Sequence, residues 1–192
     1  MIPCQYYLPL KQTSQVKKGR YDRASYNQSS HLHLLKEVVQ LPPAFKRGRA
    51  GVMAYAPYEA FDHTADIGLH AYGQTLPELF SHAAAGMESL MVAPEKVEQC
   101  VSREVSAEGH DLVSLLVAWL NELIFLFDTD YLLFNRFEIS DFTGTHLRAT
   151  VYGEPYDARH HELSSAIKAV TWHEASVESE ANGYKARLIF DI

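Results

Sequence analysis

The 192-residue chain changes character near residue 57, and that break limits what it can fold into. Residues 1–57 carry nine basic side chains and two acidic ones, a net charge of +7. Residues 58–192 carry eight bases against 22 acids, a net charge of −14. The basic stretch is rich in Gln, Ser, Tyr and Lys and has too few apolar residues to bury a core. Its one helix-like patch, from about His33 to Leu41, stops at Pro42 and Pro43. Residues 1–57 are therefore expected to be a disordered extension and residues 58–192 one folded domain. Met53 opens a stretch of 140 residues, enough for a single domain, and a native start there is the favoured reading of the extension. Two cysteines, Cys4 and Cys100, exclude a disulfide framework and a Cys-rich zinc module and point to a reducing compartment, the cytoplasm. Cys100 reads as a packed or idle thiol. The apolar run near 115–127 is broken by Asn121 and Glu122 and is too short to span a bilayer.

Periodicity within residues 58–192 sets the fold class. Tyr58 to Tyr72 reads as extended, with Ile67, Leu69 and Ala71 on one face and Asp66, Gly68, His70 and Tyr72 on the other. Thr75-Leu76-Pro77-Glu78 is a capping-box pattern, and Leu79, Phe80, Ala83, Met87 and Met91 then recur at helical spacing. His82 falls on the opposite, solvated face. Val101 to Ala107 is a short strand. Asp111 caps a second helix to about Asp128, apolar around most of its circumference and so largely buried. Strands follow over 133–142, 147–152, 167–179 and 184–191, the last two joined at Asn182-Gly183, a hairpin signal. The order predicts an α+β domain: a single, mainly antiparallel sheet with two helices packed on one face.

The residues themselves offer little catalytic machinery. The chain has no phosphate-binding glycine loop, no dinucleotide fingerprint and no nucleophile elbow. The ten histidines match no paired metal motif. Two aspartates are less ordinary. Asp66 sits on the polar face of a strand, and Asp191 is followed only by Ile192 and its α-carboxylate. If the first and last strands are neighbours, these groups converge, and like charges that close need a cation or protons between them. Oxygen donors of this kind suit Ca²⁺, Mg²⁺ or Mn²⁺. The alternative is a pair of exposed charges at strand ends.

The domain also resembles a known family, archease. The resemblance rests on Phe61-Asp62-His63-Thr64-Ala65-Asp66-Ile67-Gly68-Leu69-His70, on Ser114 through Glu122, on Gly153-Glu154-Pro155-Tyr156-Asp157, on His161-Glu162-Leu163, on Ile167 through His173 and on the final Phe190-Asp191-Ile192. It covers the chain from about Tyr58 onward, and Trp172 stands where the family often has Tyr. The resemblance implies an accessory protein for an RtcB-type RNA ligase in tRNA splicing and RNA repair, with no catalytic residues of its own. Such proteins promote guanylylation of the ligase's histidine and its turnover. RNA would be met only through the ligase, and no membrane is involved. The resemblance further implies one divalent cation, Ca²⁺ first, with Mg²⁺ or Mn²⁺ as alternatives, on Asp66, Asp191 and Ile192. Lys168, His63 and His161 are the candidates for partner activation. The competing readings are a self-sufficient metal-dependent phosphohydrolase and a scaffold with a structural ion.

Overall fold

The computed structural model describes residues 56–63 and 66–192. What is expected of residues 1–55, and of Thr64 and Ala65, lies outside the described residues. The elements run β1 (Tyr58–Asp62), β2 (Ile67–Gly73), α1 (Leu76–Met91), a 3-10 turn (Pro94–Lys96), β3 (Val101–Glu108), α2 (Leu112–Asp130), β4 (Leu132–Phe142), β5 (His146–Pro155), β6 (Ala169–Glu180) and β7 (Gly183–Asp191).

The α+β class and the antiparallel pairing are as expected, but the strands form two sheets rather than one. Their orders are β1-β2-β7-β6 and β3-β5-β4. Central strand β7 has both edges taken by β2 and β6, and β5 by β3 and β4. Alternation of apolar residues fixes which face of a strand is buried but not which strand lies beside it. The helices also differ from the expected arrangement on one sheet face. Helix α1 packs on β2 and β4, and α2 packs on β6 and β3, so each helix touches both sheets. Phe80, Trp119, Phe134 and Phe190 are among the large side chains sealed in the core.

The segment expected to be continuously extended from 58 to 72 is a hairpin. β1 and β2 pair from Tyr58 with Ala71 to Asp62 with Ile67, and the Asp66 N–H donates to the His63 carbonyl (3.3 Å). Leu69 and Ala71 face the core, as their alternation requires. The Phe61 ring lies over Gly68, where a Cβ would stand 2.2 Å from it, so this close approach needs glycine.

Helix α1 begins where its cap signal sits. The Glu78 N–H donates to Thr75 Oγ1 (3.3 Å), while the Glu78 carboxylate accepts from the Gln74 N–H (2.8 Å) rather than from Thr75. His82 is not simply a solvated residue: its Nδ1 donates to the Tyr72 carbonyl (2.6 Å) and ties α1 to β2. In α2, Asp111 and Ser114 exchange hydrogen bonds at 2.7 and 2.9 Å, a complete reciprocal cap. This helix has the length and apolarity to cross a membrane, yet Leu115, Leu116, Trp119, Leu120 and Leu123 are buried in the domain core. Trp119 Nε1–H donates to the Phe80 carbonyl (3.2 Å), joining the two helices.

Candidate functional site

Backbone pairing brings the sequence-nominated residues to one end of the β1-β2-β7-β6 sheet. The β2–β7 ladder ends with Ile67 opposite Phe190, one residue short of Asp66 and Asp191. The condition set by the sequence is therefore met: the strands bearing the two aspartates are neighbours. On the other side of β7, Ala169 of β6 pairs with Asp191. The Lys168 N–H extends that ladder by donating to the Asp191 carbonyl (2.8 Å), and Lys168 Nζ donates to the Ile192 carbonyl oxygen (2.8 Å). Ile192 packs its side chain against the core, which fixes where that oxygen points.

Asp66, Lys168, Asp191 and Ile192 thus share one edge of one sheet. His63 joins them through the β1–β2 turn, with Nδ1 3.6 Å from Asp66 Oδ2. That nitrogen is buried and makes no hydrogen bond, and the ring meets His173 edge-on at 6.5 Å between centroids. Two carboxylates and a main-chain oxygen are hard donors, and Asp66 and Asp191 both keep contact with solvent. The donor set therefore fits a divalent cation with water completing its shell. The ammonium of Lys168 already offsets part of the negative charge.

His161 occupies a different environment. Its side chain is 2% exposed. Nδ1 accepts the Asp157 N–H (2.9 Å), which leaves Nε2 to donate to Glu154 Oε1 (3.2 Å). The ring stacks on Tyr156 at 5.9 Å. Glu154 also accepts the Glu98 N–H (2.6 Å). The Gly-Glu-Pro-Tyr-Asp block and His161 therefore form one buried knot that pins the loop after β5. A second acidic group, Glu98, Cys100 and Glu154, brings potential ligands together. Within it, Cys100 Sγ lies 3.6 Å from Glu98 Oε2.

Sequence reading missed Asn121 and Glu88. Asn121 Oδ1 reaches from α2 to accept the Val170 N–H of β6 (3.0 Å), which explains one polar residue in an otherwise apolar helix. Glu88 lies on the buried side of α1, only 2% exposed. Burial raises its carboxyl to about 8, with the nearby Phe134 amide opposing the shift.

Comparison with known proteins places the chain in a family. Residues 58–192 match the profile of the Archease protein family (MTH1598/TM1083). A protein archease of Methanosarcina acetivorans is 41% identical over 139 residues, covering 70% of this chain and 95% of the relative. The solution structure of Methanobacterium thermoautotrophicum protein 1598 superposes with a TM-score of 0.63 at 39% identity, covering 71% of this chain and 99% of that one. The crystal structure of a Thermotoga maritima protein described as an archease and possible chaperone shares the fold (TM-score 0.50, 20% identity, 70% of this chain and 96% of that one). The chain belongs to the archease family.

Proposed function

We propose that this protein is a metal-binding accessory protein that activates an RtcB-type RNA ligase in the cytoplasm, promoting its guanylylation and turnover in tRNA splicing and RNA repair. The observation that carries this reading is the gathering of Asp66, Asp191, the Ile192 oxygen and Lys168 at one sheet end, in a domain that belongs to the archease family over its whole length.

In this reading Asp66, Asp191 and Ile192 hold one divalent cation, Ca²⁺ first and Mg²⁺ or Mn²⁺ as alternatives. Such an ion offsets charge on phosphate oxygens. Lys168 and His63 stand beside these donors, within reach of a docked partner. His161 acts one step back by holding the loop that leads to Lys168. The acidic domain meets a basic ligase surface, where charge complementarity speeds encounter and fixes orientation. RNA is gripped by the ligase and not by this chain.

The test adds the purified protein to a ligase that has stalled after one round and counts joined RNA ends per ligase molecule. Several further rounds are expected. A ligase that remains stalled at saturating protein overturns the reading. Release of phosphate from model phosphoesters by the protein alone would replace it with the phosphohydrolase.

A further inference from the structure

The β1-β2-β7-β6 sheet has a second face, opposite the buried Leu69, Ala71, Ala186 and Leu188. It gathers side chains that the ligase reading does not use. Two cross-strand rows define it. Ser176, Arg187 and His70 lie side by side across β6, β7 and β2, and Glu178, Lys185 and Tyr72 form the next row. Between the rows lies a pocket of about 240 Å³ lined by His70, Ser176, Glu178, Lys185 and Arg187. Two of the eight Lys and Arg residues of a domain with net charge −14 meet here.

Packing from below holds both cations in place. The Arg187 guanidinium lies over the Phe61 ring (4.7 Å), and that ring occupies the space that a Cβ at residue 68 would fill. Lys185 Nζ stands over the Tyr72 ring (5.5 Å). The acids of this face are largely engaged. Glu59 accepts from the Tyr72 hydroxyl (2.6 Å), with His70 Nδ1 at 3.4 Å, and Glu178 accepts from Ser176 Oγ (3.3 Å). Glu174 pairs with Arg187 through Nη2 alone, which leaves the other donors of the fork. Lys185 has no carboxylate within ion-pair distance among the described residues.

We propose that this pocket is an anion site for a phosphate-type oxyanion, held by the Lys185 ammonium and the remaining Arg187 donors, with His70 and Ser176 lining it. The proposal does not depend on the ligase reading. The acidic surroundings repel an anion at long range, so binding is weak and rests on short-range donors.

The test is a titration of the full chain with inorganic phosphate, followed by amide NMR. Saturable shifts are expected at His70, Ser176, Lys185 and Arg187, with millimolar affinity. Lys185→Met is expected to weaken binding at least tenfold, and Lys96→Met to leave it unchanged. Arg187→Met gives a second check should Lys185→Met fail to fold, with an expected loss of about tenfold. A 3′-phosphorylated oligoribonucleotide that binds more tightly than inorganic phosphate identifies nucleic acid as the source, whereas equal affinity identifies the free ion. Both results support the pocket. Linear, non-saturating shifts spread over the surface overturn it, as does equal response to an oligoribonucleotide without the phosphate.

Discussion

Replacing Glu88 by glutamine removes the most unfavourably placed charge in the domain. Glu88 is 2% exposed on the core side of α1, and its two carboxyl oxygens lack a hydrogen-bond partner of good geometry. Burial disfavours the carboxylate, and the proton is retained to about pH 8 instead of the usual 4.5. In the unfolded chain the same group ionises near its usual value. Between these limits the folded state binds the proton and the unfolded state does not, so stability falls as pH rises. The slope is about 1.4 kcal/mol per pH unit, on the order of 5 kcal/mol across the whole window. Below the unfolded value both states are protonated and nothing is lost. Above the folded value the loss is complete and the slope vanishes. A total of this size is a large part of the roughly 5–15 kcal/mol that holds a typical domain folded.

Glutamine keeps the shape of the protonated acid and cannot ionise. Its amide brings donors that the pocket does not match, at a cost of about 1–3 kcal/mol. Glu88→Gln is therefore expected to be somewhat less stable than wild type near pH 5 and more stable near pH 8.5. The assay is urea unfolding of both proteins at half-unit steps from pH 5 to pH 9. The difference between them isolates Glu88 from the other titrating groups. Parallel curves across the whole range would refute the reasoning, because they would mean that Glu88 ionises without penalty.

Three further substitutions test local structure and the candidate site. Asn121→Ala leaves the Val170 amide without its acceptor and should cost about 1–3 kcal/mol, read as a lower urea midpoint. Gly183→Ala forces a side chain into a backbone with φ of 144°, where its Cβ would stand 2.3 Å from the Gly73 carbonyl. A loss well above about 1 kcal/mol is expected by the same assay, and a neutral result would mean that the hairpin can shift. Lys168→Ala should change stability by no more than about 0.5 kcal/mol, because the side chain is at the surface, while reducing ligase activation severalfold. Unaltered activation would reduce Lys168 to a partner for the Ile192 oxygen.

Signals confined to a few neighbouring residues were legible in the sequence. Thr75 and Asp111 cap the two helices, Asn182-Gly183 turns the last hairpin, and Leu69 and Ala71 face inward. Contacts between distant residues were not. The short polar stretch between Phe61 and Ile67 carries no glycine or proline turn signal, so β1 and β2 read as one extended segment. The division into two sheets depends on which strands neighbour β5 and β7, and a period of two carries no such information. The same limit made any approach of Asp66 to Asp191 conditional on strand order; β2 and β7 are neighbours. The burial of His161 was not legible because its partner, Glu154, belongs to a separate motif. Glu88 escaped notice because a lone acid in an amphipathic helix normally lies on the wet face.

The central claim is that the sheet-end donors Asp66 and Asp191 make this chain an activator. The most direct measurement is multiple-turnover RNA joining by the ligase with wild-type protein, Asp66→Ala or Asp191→Ala, each first shown to be folded. Wild type is expected to sustain many rounds. Each variant should fall to the level of ligase alone while unfolding near the wild-type temperature, since removing either carboxylate also relieves like-charge repulsion in the metal-free state. Folded variants that both activate as well as wild type would contradict the account.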